Sequence, residues 1–292
     1  MLKDFECIKY NEPMKNHTTF RAGGSADMLA EPKSTAELAE ILAAAKAENV
    51  PVTVIGNGSN LLVTDKGIRG LVVKIFRSLS DITVDGEYIT ASAGALLSRA
   101  ASAAYENSLA GFEFASGIPG TIGGALYMNA GAYGGEMKDV FVKCEYISDG
   151  QLKTISQDEA KLSYRRSVFC ENGGIITSVT VKLQKADKAE ILAKMNDYKN
   201  RRVEKQPLEF ASAGSTFKRP EGHFAGALIE KAGLKGMKVG AAEVSEKHAG
   251  FIINRGGATA TDILELIELV KEKVYEDSGV VLEPEVKILG EK

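Results

Sequence analysis

The run from Gly117 to Gly135 holds seven glycines in nineteen residues, and it constrains the chain more than any other feature. Ile118, Ile122, Leu126, Tyr127 and Tyr133 interrupt the glycines, so this is neither a flexible linker nor low-complexity filler. Glycine lacks a Cβ, reaches left-handed dihedrals and leaves its N–H bare. Successive bare N–H groups form anion-binding concavities. The run reads either as a loop wrapped on the diphosphate of a large cofactor or as tight turns in a glycine-rich corner of a sheet.

A second glycine-containing segment, Gly56-Asn57-Gly58-Ser59-Asn60-Leu61, follows the predicted strand Val52-Thr53-Val54-Ile55. It is not the dinucleotide fingerprint, because Leu61 stands where that motif needs its third glycine. Predicted strands flank it on both sides, so no helix N-terminus waits there for a phosphate. Its backbone amides, the Ser59 hydroxyl and the amides of Asn57 and Asn60 suit a pyrophosphate held by turns. A plain hairpin turn is the other reading.

Composition limits the chemistry. At 44% hydrophobic and 26% charged, the 292 residues suit two or three globular domains. A net charge of −3 gives no nucleic-acid footprint. No apolar run approaches the ~20 residues of a membrane span, and Met1-Leu2-Lys3-Asp4-Phe5-Glu6 has no signal-peptide core. A cytoplasmic protein without membrane insertion is expected. Cys7, Cys144 and Cys170 are too few and scattered for a disulfide framework, and with His17, His223 and His248 they form no metal-ligand spacing. Redox chemistry here needs an organic cofactor.

Periodicity gives the coarse organisation. The Ser34–Glu37 spacing opens a helix with Leu38, Ile41, Leu42 and Ala45 on one face, stopping near Asn49. Short strands are predicted at Leu61-Leu62-Val63, Leu71–Ile75, Ile82–Val84 and Tyr88–Ala91, then a helix from about Ala95 to Glu106. Val140–Ile147, Leu152–Ile155 and Ile175–Leu183 read as strands, with Asp149-Gly150 marking a hairpin. A helix runs from Asp187 to Arg201-Arg202. A last helix starts at Thr259 or Thr261, carries Ile263, Leu264, Ile267, Val270 and Val274 inward, and ends at Gly279. Ser215–Phe217, Phe251–Ile253, Val280–Leu282 and Val286–Ile288 read as strands. The fold class is α+β.

Thr19-Phe20-Arg21-Ala22-Gly23-Gly24, then Gly56–Leu62, then Gly117-Ile118-Pro119-Gly120-Thr121-Ile122-Gly123-Gly124 follow the order found in FAD-binding domains of the vanillyl-alcohol-oxidase and p-cresol-methylhydroxylase type. Tyr164-Arg165-Arg166-Ser167, Gly214-Ser215-Thr216-Phe217-Lys218 and Leu282-Glu283-Pro284-Glu285-Val286 narrow the likeness. Over about Asn16 to Gly290 the chain resembles the UDP-N-acetylenolpyruvoylglucosamine reductase family, in its shorter subclass. The family pattern has asparagine where Arg219 and Gly250 stand here.

The resemblance implies three parts. Residues 1–76 with 283–292 and residues 77–205 would be the two FAD-binding subdomains, and 206–282 the substrate domain. It implies non-covalent FAD, with NADPH as co-substrate, and reduction of the enolpyruvyl group of a sugar nucleotide by a monomer. FAD would lie against Arg21, Gly56, Asn57, Gly58, Ser59, Asn60, Leu61, Gly117, Ile118, Gly120, Thr121, Gly123, Gly124, Asn129, Gly131 and Ala132. Arg165 would stabilise charge on the substrate carboxylate, Ser215 would donate a proton, and Glu285 would orient the carboxylate or relay that proton. Tyr164, Arg202, Lys205 and Lys218 would hold the substrate. Read alone, Arg165 could be a surface arginine, Ser215 a turn serine, and Arg202 and Lys205 favourable charges at a helix C-terminus. Two rivals stand beside this reading: an alcohol or sugar oxidase of the same superfamily, and a non-catalytic nucleotide-binding module. No histidine lies in Gly56–Leu62 or Gly117–Gly135 to tether a flavin.

Overall fold

The computed structural model describes residues 1–291. The chain folds into two compact units: residues 1–9, 29–57 and 71–202 form the first, and residues 10–28, 58–70 and 203–292 the second.

In the first unit the helix Thr35–Ala47 starts where Ser34 Oγ accepts the Glu37 amide at 3.1 Å. Its buried face is Leu38, Ile41 and Ala45. The strand Val52–Ile55 that follows pairs in parallel with Leu71–Lys74. Five antiparallel strands make the main sheet, in the order Gln151–Ser156, Phe141–Ser148, Ile175–Lys182, Tyr88–Ser92 and Ile82–Asp85. Asp149 (φ 53°) and Gly150 (φ 76°) close the first hairpin, because a two-residue turn matching strand twist needs positive φ at both positions. The helix Leu97–Glu106 buries Leu97, Ala100, Ala101 and Ala104, the spacing of a single helical face.

One element went unforeseen inside the glycine-rich run: residues Ile122–Tyr127 are helical, capped by Thr121 Oγ1. Glycine is a poor helix former, yet a Cβ at Gly123 would stand 2.7 Å from that of Ala93. Packing therefore accounts for that glycine.

Cys144 sits in the main sheet at 1% exposure, and burial pushes its thiol up to about 12. Near neutral pH it holds almost no thiolate, the reactive form. Alkylation followed by peptide mass spectrometry is expected to leave Cys144 unmodified in the native protein and to modify it after denaturation.

In the second unit the helix Ala260–Ser278 opens on a capping box, with Asp262 N–H on Thr259 Oγ1 and Thr259 N–H on Asp262 Oδ2, both 3.0 Å. Gly279, at φ 69°, ends it. Its inward stripe is Ile263, Leu266, Ile267, Val270 and Val274. Leu266 replaces the expected Leu264, which is only partly buried. The stripe packs in a core with Phe20, Leu62, Phe217, Ile252 and Leu282. Beside it lie the helix Ala225–Lys231, missed in a glycine-rich stretch, and the strands Lys238–Val239, Ala242–Val244 and Ile252–Asn254. Residues 280–282 are not a strand as expected; Lys287–Leu289 is, parallel to Leu61–Val63.

Asp65 ties its loop to the start of the long helix. Its carboxylate accepts Ala260 N–H and Thr261 N–H at 2.8 Å and Thr261 Oγ1 at 2.7 Å. Burial alone would raise this carboxyl, but the Thr261 hydroxyl and the two amides outweigh it and hold the pKa below its usual value. Asp65→Ala is expected to cost about 1 kcal/mol, as loss of a helix cap does. The sign follows from the depressed pKa. The difference from wild type is complete above the ordinary carboxylate range near pH ~4 and disappears as pH falls through the lower, folded-state value. Denaturant titrations across acidic pH measure it.

Candidate active site

The first unit joins the two glycine-rich segments. The strand Val52–Ile55 delivers Gly56 and Asn57 to the Gly117–Gly135 run, where Asn57 Nδ2 donates to the Pro119 carbonyl at 2.6 Å. A Cβ on Gly56 would collide with the buried Thr121 hydroxyl, so glycine is required for this approach. Some amides of the run are used inside the fold: Ile118 on Ala115 O, Ile122 on Ala95 O, Gly123 on Ala93 O and Gly124 on Thr121 Oγ1. Among the described residues no acceptor engages the amides of Gly56, Asn57, Gly117, Gly120 or Thr121. Backbone donors shielded from water need partners, and of these residues Thr121 is buried and the other four partly so. A cofactor diphosphate meets that need, and the residues fit it.

Gly131 and Ala132 form one side of a short hairpin with Gly135 and Glu136, where a Cβ on Gly131 would press on the Gly135 carbonyl and the Glu136 Cβ. Asn129, expected at the cofactor, has its side chain bonded within the fold. It is completely buried, and its side chain bonds to protein at both ends: Nδ2 to Glu136 Oε2 at 2.9 Å and Ser163 O at 3.0 Å, Oδ1 to the Lys138 amide at 2.9 Å. Both hydrogens of that amide are thereby committed to protein acceptors.

The Tyr164-Arg165 pair occupies the tip of a tight turn in which Ser163 and Arg166 exchange backbone hydrogen bonds of 3.0 and 3.1 Å. Arg165 takes φ 56°, a left-handed conformation that costs a non-glycine residue about 1–2 kcal/mol. Its guanidinium lies 4.9 Å from the Tyr164 ring centroid. Arg166 is the surface arginine, paired with Glu171 at 2.5 Å. Ser167, buried, donates to the Tyr127 carbonyl at 2.5 Å. Arg202 reaches back from the helix Lys188–Lys205 to Gly117, where a Cβ would stand 3.2 Å from Nη1. Burial lowers its pKa, partly offset by Tyr133. Tyr133 itself stacks on Tyr198 at 4.4 Å.

The second unit joins the other candidates. Thr216 is buried, and its carbonyl accepts the Glu285 amide at 2.8 Å, which sets Ser215 and Glu285 on neighbouring backbones. Asn60 Nδ2 donates to the Glu285 carbonyl at 3.2 Å, and Asn60 O accepts the Lys287 amide at 2.9 Å. Leu61, opposite Lys287, begins the strand that carries this segment. Gly58, at φ 67°, has no room for a Cβ against the His17 carbonyl, and its own carbonyl accepts the Thr19 amide. Ser59 sits half-buried between them. Glu283 is the surface alternative to Glu285. Lys218 Nζ lies 2.8 Å from it, and this hydrogen bond and charge hold the exposed Glu283 carboxyl below its usual range. Lys205 is exposed.

Asn254 escaped the sequence reading. Buried at 5% exposure, it donates through Nδ2 to the carbonyls of Phe20 (3.0 Å) and Arg21 (3.4 Å) and accepts the Gly256 and Ala258 amides at Oδ1. It thus fixes Arg21 at φ 55°. The run Asn254-Arg255-Gly256-Gly257 marks the side-chain-capped turn, but nothing in it names the distant partner.

Comparison with known proteins gives the family. Residues 26–156 match a model described as an FAD binding domain, and residues 206–289 one described as the UDP-N-acetylenolpyruvoylglucosamine reductase C-terminal domain. The chain is similar to the UDP-N-acetylenolpyruvoylglucosamine reductase of Agathobacter rectalis, 55% identical over 96% of this chain and 93% of that one. It is 53% identical to that of Caldanaerobacter subterraneus subsp. tengcongensis, over 97% and 93%. The crystal structure of UDP-N-acetylenolpyruvylglucosamine reductase from Thermus caldophilus superposes with a TM-score of 0.83 at 37% identity, over 97% of this chain and 98% of that one. A glucose dehydrogenase, Phl p 4.0202, shares only the fold: TM-score 0.51 and 15% identity, over 64% of this chain and 43% of that one.

Proposed function

Because the chain belongs to the UDP-N-acetylenolpyruvoylglucosamine reductase family, we propose that it reduces the enolpyruvyl group of UDP-N-acetylglucosamine enolpyruvate to UDP-N-acetylmuramate, a precursor of peptidoglycan. When bound, FAD supplies the two-electron relay from NADPH to the substrate. The amides of Gly56, Asn57, Gly117, Gly120 and Thr121 would hold its diphosphate, with Arg21, Gly58, Ser59, Asn60 and Leu61 as further contacts. Residues 206–282 would be the substrate-binding part.

Two carbons must be served. As hydride arrives at the terminal CH2 carbon, negative charge develops on the carboxylate oxygens. Arg165 would bind that carboxylate through both nitrogens of its fork and stabilise the growing charge, the larger catalytic effect in such sites. Ser215 would then give its proton to the carbon bearing the ether oxygen, completing the reduction. A serine hydroxyl is a weak acid, so it needs partners and exclusion of water. Glu285, one backbone away, is the group that relays a proton or orients the carboxylate. Tyr164, Arg202, Lys205 and Lys218 would bind the rest of the sugar nucleotide. Lys218 would exchange Glu283 for phosphate, and the partly buried Arg202 would pair with an anion.

The observation that supports this reading is the hydrogen bond from the Glu285 amide to the Thr216 carbonyl, which sets residue 285 against the backbone segment that carries Ser215. The test is steady-state turnover of the purified chain, with acid precipitation to release its flavin. Expected are free FAD in the supernatant and NADPH oxidation only when the enolpyruvyl nucleotide is present. Flavin retained by the precipitate, with oxidation of an alcohol or sugar, would favour the oxidase rival. Flavin binding without turnover would favour the nucleotide-binding module.

A further inference from the structure

We infer that Asn129 is a positioning residue for Arg165: its buried amide holds the left-handed turn that presents the arginine. The inference rests on the role given above to Arg165.

The turn at Tyr164-Arg165 pays for its conformation twice. It holds a non-glycine residue at φ 56°, and it brings two bulky side chains to a two-residue tip. Its tip is closed by the Ser163–Arg166 pair of hydrogen bonds, and the wider loop by Val168 N–H on the Ala160 carbonyl at 2.9 Å. Such strain persists where surrounding structure over-determines it. Two tethers do so, and both come from the end of the helix Ile122–Tyr127. Ser167 Oγ donates to the Tyr127 carbonyl at 2.5 Å, fixing the turn behind Arg166. Asn129 Nδ2 donates to the Ser163 carbonyl at 3.0 Å, fixing it ahead of Tyr164. The arginine is gripped from both sides.

Asn129 is itself held rigidly. It takes φ 44°, a conformation asparagine tolerates better than most residues. Its amide has only one workable orientation. Nδ2 faces two acceptors, Ser163 O and Glu136 Oε2, while Oδ1 faces the Lys138 amide. A flipped amide would set oxygen against both acceptors. Glu136 in turn is paired with Lys138 Nζ at 2.5 Å. The same geometry explains why asparagine and not aspartate stands here: a carboxylate would keep the Lys138 contact, lose both donors and repel Glu136. The side chain has no exposed surface, so this anchoring is its role, not ligand contact.

A general folding role and a positioning role predict different results. Rates of flavin reduction by NADPH, and of flavin reoxidation by the enolpyruvyl nucleotide, are measured for Asn129→Asp with Arg165 intact and in an Arg165→Ala background. Positioning predicts a loss of about 10²-fold in reoxidation with Arg165 present, the cost of a misplaced group. It predicts little further loss once Arg165 is gone, since the two changes are coupled. Flavin reduction stays near wild type. Equal losses in both backgrounds, or a parallel fall in flavin reduction, overturn the inference. If Asn129→Asp does not fold, Ser167→Ala removes the second tether alone and must show the same dependence on Arg165; additive losses there overturn the inference equally. Amide hydrogen exchange supplies a readout without turnover: the Arg166 amide should exchange at least about tenfold faster in either variant, as expected when a local closure weakens, and unchanged protection overturns the inference. Should Arg165→Ala alone leave reoxidation intact, the assigned role of Arg165 fails instead, while exchange still reports on the turn.

Discussion

Ser215→Ala is expected to abolish the second half of the reaction and spare the first. Rapid mixing with NADPH should reduce the bound flavin at close to the wild-type rate, because no proton from Ser215 enters that step. Reoxidation by the enolpyruvyl nucleotide should slow by about 10²–10⁴-fold, the range a positioned acid supplies. The substitution removes one exposed hydroxyl from a turn whose register is set elsewhere. The Thr216 amide on Gly250 O, the Ile252 amide on Thr216 Oγ1 and the Glu285 amide on Thr216 O all remain. A gross structural explanation would therefore have to appear in the melting temperature, which should not move. Equal loss in both half-reactions would remove Ser215 from the role of proton donor. A companion substitution, Glu285→Gln, separates relay from orientation. It keeps size and hydrogen bonding while removing the charge, so a loss as large as that of Ser215→Ala favours relay.

The second large effect belongs to Arg165. Arg165→Lys keeps a positive charge but gives up the planar fork that grips a carboxylate at two points. Reoxidation should fall by about 10²–10³-fold, as when one aimed donor is lost from a charge-stabilising site. Arg165→Gly should fall at least as far, yet it should fold as well as wild type, because glycine takes φ 56° without the cost an L-residue bears there. An activity loss without a stability loss is the signature of strain retained for function. Arg166→Ala is the control. It breaks only the surface pair with Glu171, and an exposed pair contributes about 0–1 kcal/mol. Comparable damage from Arg166→Ala and Arg165→Lys, read as kcat/KM for the enolpyruvyl nucleotide, would exchange the roles of the two arginines.

Local signals carried much of the fold. The long helix was legible because its cap, stripe and stop lie at Thr259, the Ile263-to-Val274 face and Gly279. The hairpin was legible because Asp149-Gly150 admits few backbone conformations. The helix Ile122–Tyr127 was not, since its glycines argue against a helix until Ala93 is seen pressing on Gly123. The helix Ala225–Lys231 was hidden in the same way among neighbouring glycines. The site divides differently. Its loops could be found from glycine content and spacing. Ser215 and Glu285 came from family likeness, because the bond that adjoins them spans seventy residues and leaves no local trace. Asn254 shows the limit most plainly: its partner Phe20 is 234 positions away, and no periodicity in the chain reports that contact. The place of Asn129 among glycines suggests a ligand, whereas its buried side chain points into protein.

An anaerobic titration of the purified holoprotein, followed through the flavin absorption band, tests the central claim most directly. One equivalent of NADPH should bleach the band, and one equivalent of the enolpyruvyl nucleotide should then restore it, leaving UDP-N-acetylmuramate in solution. A protein without the band that takes up no added FAD, or a bleached band that the nucleotide leaves untouched, would contradict the account.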